Sequence, residues 1–146
     1  MPLLDVPDTR QRGDYDCGAA CVDAVAAFFG KRKRGPAALA NPIQGMSPDT
    51  VEAVLRSLGF GILSGAMTVA DLGHLTATGR PVLCPVADHG GHWLVVRGVA
   101  RDKVHVMDPD AGFRRVPRDG WLAGWRDVSR SGHRYDRWGI GVGVGG

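Results

Sequence analysis

Four side chains in this 146-residue chain could act together on a carbonyl group: Cys17, His92, Asp108 and, six positions before the cysteine, Gln11. The cysteine lies in Gln11-Arg-Gly-Asp-Tyr-Asp16-Cys17-Gly18-Ala-Ala, just where an amphipathic helix should begin. A thiol there meets unpaired backbone N–H groups and the positive end of the helix dipole, and both favour the thiolate. Taken alone, Cys17 reads as a small hydrophobe tucked under that helix, the usual state of an intracellular cysteine. A second cluster tips the balance toward a nucleophile.

That cluster starts at Gly79-Arg-Pro-Val-Leu-Cys-Pro-Val86, a short apolar strand. The loop Ala87-Asp-His-Gly-Gly91 follows, and then His92-Trp-Leu-Val-Val-Arg-Gly-Val99, a second strand that opens on a histidine. The return strand Lys103-Val-His-Val-Met107 ends on Asp108-Pro109. A hairpin turning near Ala100 to Asp102 sets the start of one strand beside the end of the other, which brings His92 close to Asp108. A thiol on a helix N-terminus, with a histidine and a carboxylate from a neighbouring hairpin, supplies nucleophile, base and orienter for acyl transfer. The chemistry needs no cofactor.

The motif set Gln-x4-Asp-Cys-Gly-x-Ala, then Gly-Arg-Pro-Val, His-Trp-Leu-Val-Val and Asp-Pro resembles the papain-like peptidase domain of bacteriocin-processing transporters, which trims leader peptides after a Gly-Gly pair. The resemblance runs from about Gln11 to Gly112. It implies Cys17 as nucleophile, His92 as general base and Asp108 as the residue orienting the histidine. It also implies Gln11 as the side-chain donor of the oxyanion hole, with the Cys17 backbone N–H as the second donor. The substrate it implies is a peptide or protein with small residues, a Gly-Gly type site, before the cut. The chain lacks a membrane span and the phosphate loop Gly-x4-Gly-Lys-Ser/Thr that accompany such domains in transporters.

Other classes stay open on the same residues. The thioester does not dictate its acceptor, so an acyltransferase or amidase fits the same set. A silent peptidase-like domain that binds leader peptides or a protein partner is the alternative from a different class. Among rival side chains, His89 lies in a loop that fixes no direction, and Asp110 is a weaker choice than Asp108. His74, His105 and His133 read as structural or exposed. Trp93 should turn away from His92 and pack in the core. Tyr15, Trp121 and Trp125 could wall a narrow cleft but read first as core.

The elements that must hold these groups are legible in outline. Ala20, Cys21, Ala24, Val25 and Phe28 form one stripe of a first helix, with Asp16 as N-cap and Gly30 as stop. Ser47 and Pro48 open a second helix that presents Val51, Val54, Leu55 and Leu58 and stops at Gly59. Thr68 and Asp71 suggest a capping box for a third, with Leu72 and Leu75 turned inward and an end near Gly79. A turn over residues 109–112, a strand near 113–116, an aromatic segment, a polar loop to Tyr135 and a last strand over 138–144 complete the chain. Helices first and an antiparallel sheet later predict an α+β, papain-like architecture, in which the N-terminal helix carrying the cysteine packs on the sheet carrying the histidine and aspartate.

Composition sets the bounds. At 44% apolar and 23% charged, the chain can bury one ordinary core, read as a single domain over 1–146. No apolar stretch approaches a membrane span and no signal peptide opens the chain, so it reads as cytoplasmic. Three cysteines fit no disulfide framework, and no Cys-x2-Cys pair suggests zinc. The net charge of +3 carries one dense run, Lys31 to Arg34, which reads as a solvated loop at a helix C-terminus rather than a nucleic-acid contact. Two readings compete for the glycine-rich end: a frayed or edge strand whose glycines admit close neighbours, or a Gly145-Gly146 tail that occupies the chain's own cleft.

Overall fold

The computed structural model describes residues 3–11, 17–31, 47–87, 91–128 and 134–145. Tyr15, Asp16, the run 32–34, His89, His133 and Gly146, each weighed above, lie outside them.

The elements run α1 (Cys17–Phe28), α2 (Pro48–Ser57), β1 (Phe60–Ala66), α3 (Val69–Ala77), β2 (Val82–Val86), β3 (His92–Ala100), β4 (Lys103–Asp108), β5 (Gly112–Pro117), α4 (Arg118–Gly124), β6 (Arg126–Val128), β7 (Arg134–Asp136) and β8 (Trp138–Val144). Six strands make one antiparallel sheet in the order β1-β8-β2-β3-β4-β5, and β6 pairs with β7 in a separate ribbon. This is the α+β arrangement the sequence predicts.

Side-chain alternation along the central strands sorts two cores, because successive residues of a strand face opposite sides of the sheet. Leu83, Trp93, Val95, Met107 and Ile140 join Cys17, Cys21, Val22 and Val25 of α1 and Val51 and Leu55 of α2. Val82, Cys84, Leu94, Val96, Val104 and Val106 join Leu72 and Leu75 of α3 and the rings of Trp121 and Trp125. Trp93 is therefore core, as are Trp121 and Trp125, which lie in the cluster that excludes α1. All three cysteines are buried and free.

The helix starts follow their sequence signals. Ser47 accepts the N–H of Thr50 ahead of Pro48. Thr68 and Asp71 close a reciprocal capping box, an arrangement that contributes about 1 kcal/mol. Lys31, just past α1, donates to the carbonyl of Leu58 at 2.6 Å and covers the ring of Phe60, which ties the end of α1 to the end of α2.

The strand β1 is absent from the sequence reading, since Gly61, Ser64 and Gly65 dilute its β character. Pairing makes it: all seven of its residues face a partner on β8. β8 is not the frayed or edge strand expected, since β1 and β2 flank it on both sides, but its glycines do admit close neighbours. A Cβ on Gly139 would lie 2.6 Å from the sulfur of Met67 and 3.0 Å from Val82, and one on Gly141 would lie 3.2 Å from Leu75. Gly145 abuts the backbone of Gly59, at the end of the molecule where α1 finishes, about 20 Å of helix away from Cys17. The described part of the tail is thus far from the cysteine. No helix among the described residues is long and apolar enough to cross a membrane.

Candidate active site

Cys17 is the first residue of α1 and is 5% exposed. His92 opens β3 and Asp108 closes β4, so both stand at the end of the hairpin away from its turn. The turn itself is Arg101-Asp102, both at positive φ (53° and 60°), the two-residue geometry whose twist matches the flanking strands.

An irregularity between Val96 and Gly98 sets the pairing beyond it. Near the turn Ala100 faces Lys103 and Gly98 faces His105; past the bulge Val96 faces Val106 and Val95 faces Met107. Carried one step further, this register sets Asp108 opposite position 94, two residues from His92 and of the same side-chain parity. Without the extra residue, Arg97, it would oppose position 95, with parity reversed.

The result is a direct contact: His92 Nε2 lies 2.7 Å from Asp108 Oδ1, with both side chains almost fully buried. Asp108 Oδ1 also accepts the backbone N–H of Asp110 at 2.8 Å, and Oδ2 accepts Arg114 Nη1 at 2.7 Å. Cys17 hydrogen-bonds the same imidazole. With Nε2 committed to Asp108, Nδ1 is the nitrogen left for the thiol.

Electrostatics follow from these contacts. Burial disfavours the His92 cation, but the hydrogen bonds to Asp108 and Cys17 and their charges outweigh it, and the pKa rises to about 10. Burial also opposes ionisation of Asp108. His92, the Asp110 N–H and Arg114 overcome that opposition and hold the carboxyl well below the usual carboxylate range. Cys21 and Cys84 sit in apolar surroundings that push their thiols up, so they are poor nucleophiles.

Gln11 reaches this end of the molecule on an N-terminal arm. Leu4 and Arg97 exchange a backbone and a side-chain hydrogen bond at 2.9 and 3.0 Å, Val6 is fully buried in the α1 core, and Gln11 donates its N–H to the carbonyl of Pro109 at 2.9 Å. The structure therefore brings Cys17, His92 and Asp108 into one chain of contacts and tethers Gln11 to the residue after Asp108. Asp110 contributes a backbone N–H rather than a carboxylate. His105 lies on β4 between positive charges that lower its pKa together with burial, and it takes no part.

Arg114 is the residue sequence reasoning missed. Its signal was the turn: Asp108 pairs with Gly112, so position 114 on β5 shares the parity of Asp108.

Comparison with known proteins agrees with this architecture. The pattern of the peptidase C39 family matches residues 5–129. A relative from Pseudomonas fluorescens, "Probable functional amyloid protease FapD", is 27% identical over 142 residues; the match covers 88% of this chain, which spans only 62% of that protein's length. A solved double glycine motif protease from an AMS/PCAT transporter, in complex with the leader peptide, superposes with a TM-score of 0.72 at 17% identity, covering 96% of this chain and 92% of that one. The peptidase domain of Streptococcus ComA, a bi-functional ABC transporter, gives 0.71 at 23% identity, covering 94% and 98%. With its helices, sheet and cysteine–histidine contact so arranged, and with most of its length matching one family pattern, the chain belongs to the peptidase C39 family.

Proposed function

We propose that this chain, as a single unit, is a cysteine peptidase that cuts a peptide or protein after small residues, a Gly-Gly type site, using Cys17, His92, Asp108 and Gln11. The observation that carries the reading is the 2.7 Å contact of His92 with Asp108 on a ring that also receives Cys17. The leader peptide bound by the AMS/PCAT protease supports the substrate class.

The reaction starts with the proton on His92, held there by Asp108, and the Cys17 sulfur as nucleophile. The sulfur attacks the scissile carbonyl and the C=O electrons move onto oxygen. The Gln11 side chain and the Cys17 backbone N–H receive that oxyanion, and such a donor is worth roughly 3 kcal/mol of barrier. Collapse expels the amine, which takes the proton from His92 and leaves a thioester. Neutral His92 then removes a proton from water, hydroxide adds to the thioester, and the acid departs as the thiolate returns.

The test is the rate of iodoacetamide labelling against pH, with the labelled site assigned by mass spectrometry, for wild type, Cys17→Ala and His92→Ala. Fast labelling confined to Cys17, persisting well below pH 8.5 and lost in His92→Ala, is expected. Labelling at Cys17 no faster than at Cys21 or Cys84 would overturn the mechanism.

A further inference from the structure

The sheet face beside the candidate cleft carries a charge pattern that the chemistry does not use. On β4 and β5, Met107 pairs with Phe113 and His105 with Arg115, so these four share a face with Lys103, two residues along β4. Arg97 joins them from β3, its guanidinium 4.1 Å above the Phe113 ring. Phe113 is half exposed and Arg115 exposed. The face begins one residue from Asp108 and continues away from the cleft.

Its charges are nearly all of one sign. His105 lies directly opposite Arg115, an arrangement that costs stability in a sheet. Burial and the fields of Arg115, Arg97 and Lys103 lower the His105 pKa, and Arg115 stands directly opposite it while Lys103 lies two residues along β4. The acidic group near Arg97 is Asp5 on the N-terminal arm. Asp8, further along the arm, is paired with Arg10. Three cations on one sheet face, one of them over the Phe113 ring and all next to the proposed cutting site, suit an anionic segment of an extended chain.

We infer that the face formed by Arg97, Lys103, His105, Phe113 and Arg115 docks an acidic segment of the peptide substrate, outside the scissile site. The inference rests on the peptidase reading and narrows its substrate class: small residues at the cut, acidic side chains a short distance away. From the level of Asp108 to that of Lys103 the strand spans about 17 Å, so an extended substrate would place its acids roughly two to five residues from the bond cut. Each exposed ion pair is weak and salt-screened, so the effect falls on KM and fades with ionic strength.

The test uses three fluorogenic Gly-Gly peptides, one neutral, one with an Asp/Glu triplet upstream of the cut and one with it downstream, on wild type and Lys103→Glu/Arg115→Glu. For one acidic peptide a KM about tenfold below that of the neutral peptide is expected at low salt, from two or three exposed pairs. That advantage should vanish in the double variant while cleavage of the neutral peptide persists. Equal KM for all three peptides would overturn the docking face and leave the peptidase reading standing. If none is cleaved, the peptidase reading fails, and fluorescence anisotropy of the same labelled peptides decides the face: binding of an acidic one that the double variant loses supports it, and equal binding overturns it.

Discussion

Leu4 and Arg97 hold each other twice, through the Leu4 N–H on the Arg97 carbonyl at 2.9 Å and through Arg97 Nε on the Leu4 carbonyl at 3.0 Å. Arg97 is the extra residue of the β3 bulge, so the same position that shifts the register of His92 against Asp108 also fastens the arm that carries Gln11. Gly98 makes room for it, since a Cβ there would lie 2.7 Å from Leu3 Cδ2. One irregularity thus positions the proposed base, its orienter and the oxyanion donor together, as bulges beside active sites commonly do.

Because only the Gln11 side chain is proposed to meet the oxyanion while its backbone holds Pro109, Gln11→Ala should separate catalysis from folding. A loss of about 100-fold in kcat is expected, on the order of 3 kcal/mol of barrier, with the thermal midpoint little changed. Steady-state kinetics beside a calorimetric scan checks this; a matched fall in stability would make Gln11 structural.

The His92–Asp108 pair should make stability depend on pH with a definite sign. His92 binds its proton more tightly in the folded chain, with a pKa of about 10 against an ordinary 6.5, so its contribution is complete below about pH 6.5 and is lost as pH rises toward 10. The depressed Asp108 carboxyl contributes above its ordinary range near 3.8, and that part is lost as pH falls below it. Urea midpoints of wild type should therefore decline between pH 6.5 and 10, and the decline should flatten in Asp108→Asn. Parallel curves for the two proteins would contradict the coupling.

Arg114 binds the oxygen of Asp108 that His92 does not use, yet 41% of its own side chain is exposed to water. Its role is to position the carboxylate, and solvent moderates its charge. Arg114→Gln is expected to lower kcat about fivefold, roughly 1 kcal/mol, with KM unchanged. The pH–rate profile should move upward where His92 titrates, because a cation has been withdrawn from the carboxylate that holds the imidazole. Arg114→Lys should restore most of the rate; failure of that rescue, with an unmoved profile, would leave the arginine a surface pair only.

Much of this arrangement was legible because local chemistry and global fold agree. The Ser47–Pro48 and Thr68–Asp71 starts were visible as caps, and the β3–β4 turn as a break between apolar runs. The proximity of His92 to Asp108 needed only antiparallel pairing. The bulge was missed: Gly98 inside the strand was its one signal, and the N-terminal arm that occupies it lies over ninety positions upstream. Missed too were β1, whose glycines argue against a strand until β8 supplies its partner, and α4, a seven-residue helix containing two glycines that buries Trp121. Long-range contacts decided each of these, strand pairing for the bulge and β1 and burial of Trp121 for α4, and spacing along the chain does not report them.

The glycines of β8 yield the last expectation. Gly139 faces Met67 and Val82 at distances that a larger side chain cannot share, and β8 lies between β1 and β2, two strands from the hairpin that carries His92 and Asp108. Gly139→Val must push β8 off that packing, as overfilled cores do, at a cost of about 1–3 kcal/mol. The urea midpoint should fall accordingly, while the iodoacetamide rate at Cys17, measured where the variant is fully folded, stays that of wild type. A slower Cys17 in the folded variant would mean that the sheet transmits strain to the site, and the glycine stripe would then serve the chemistry as well as the fold.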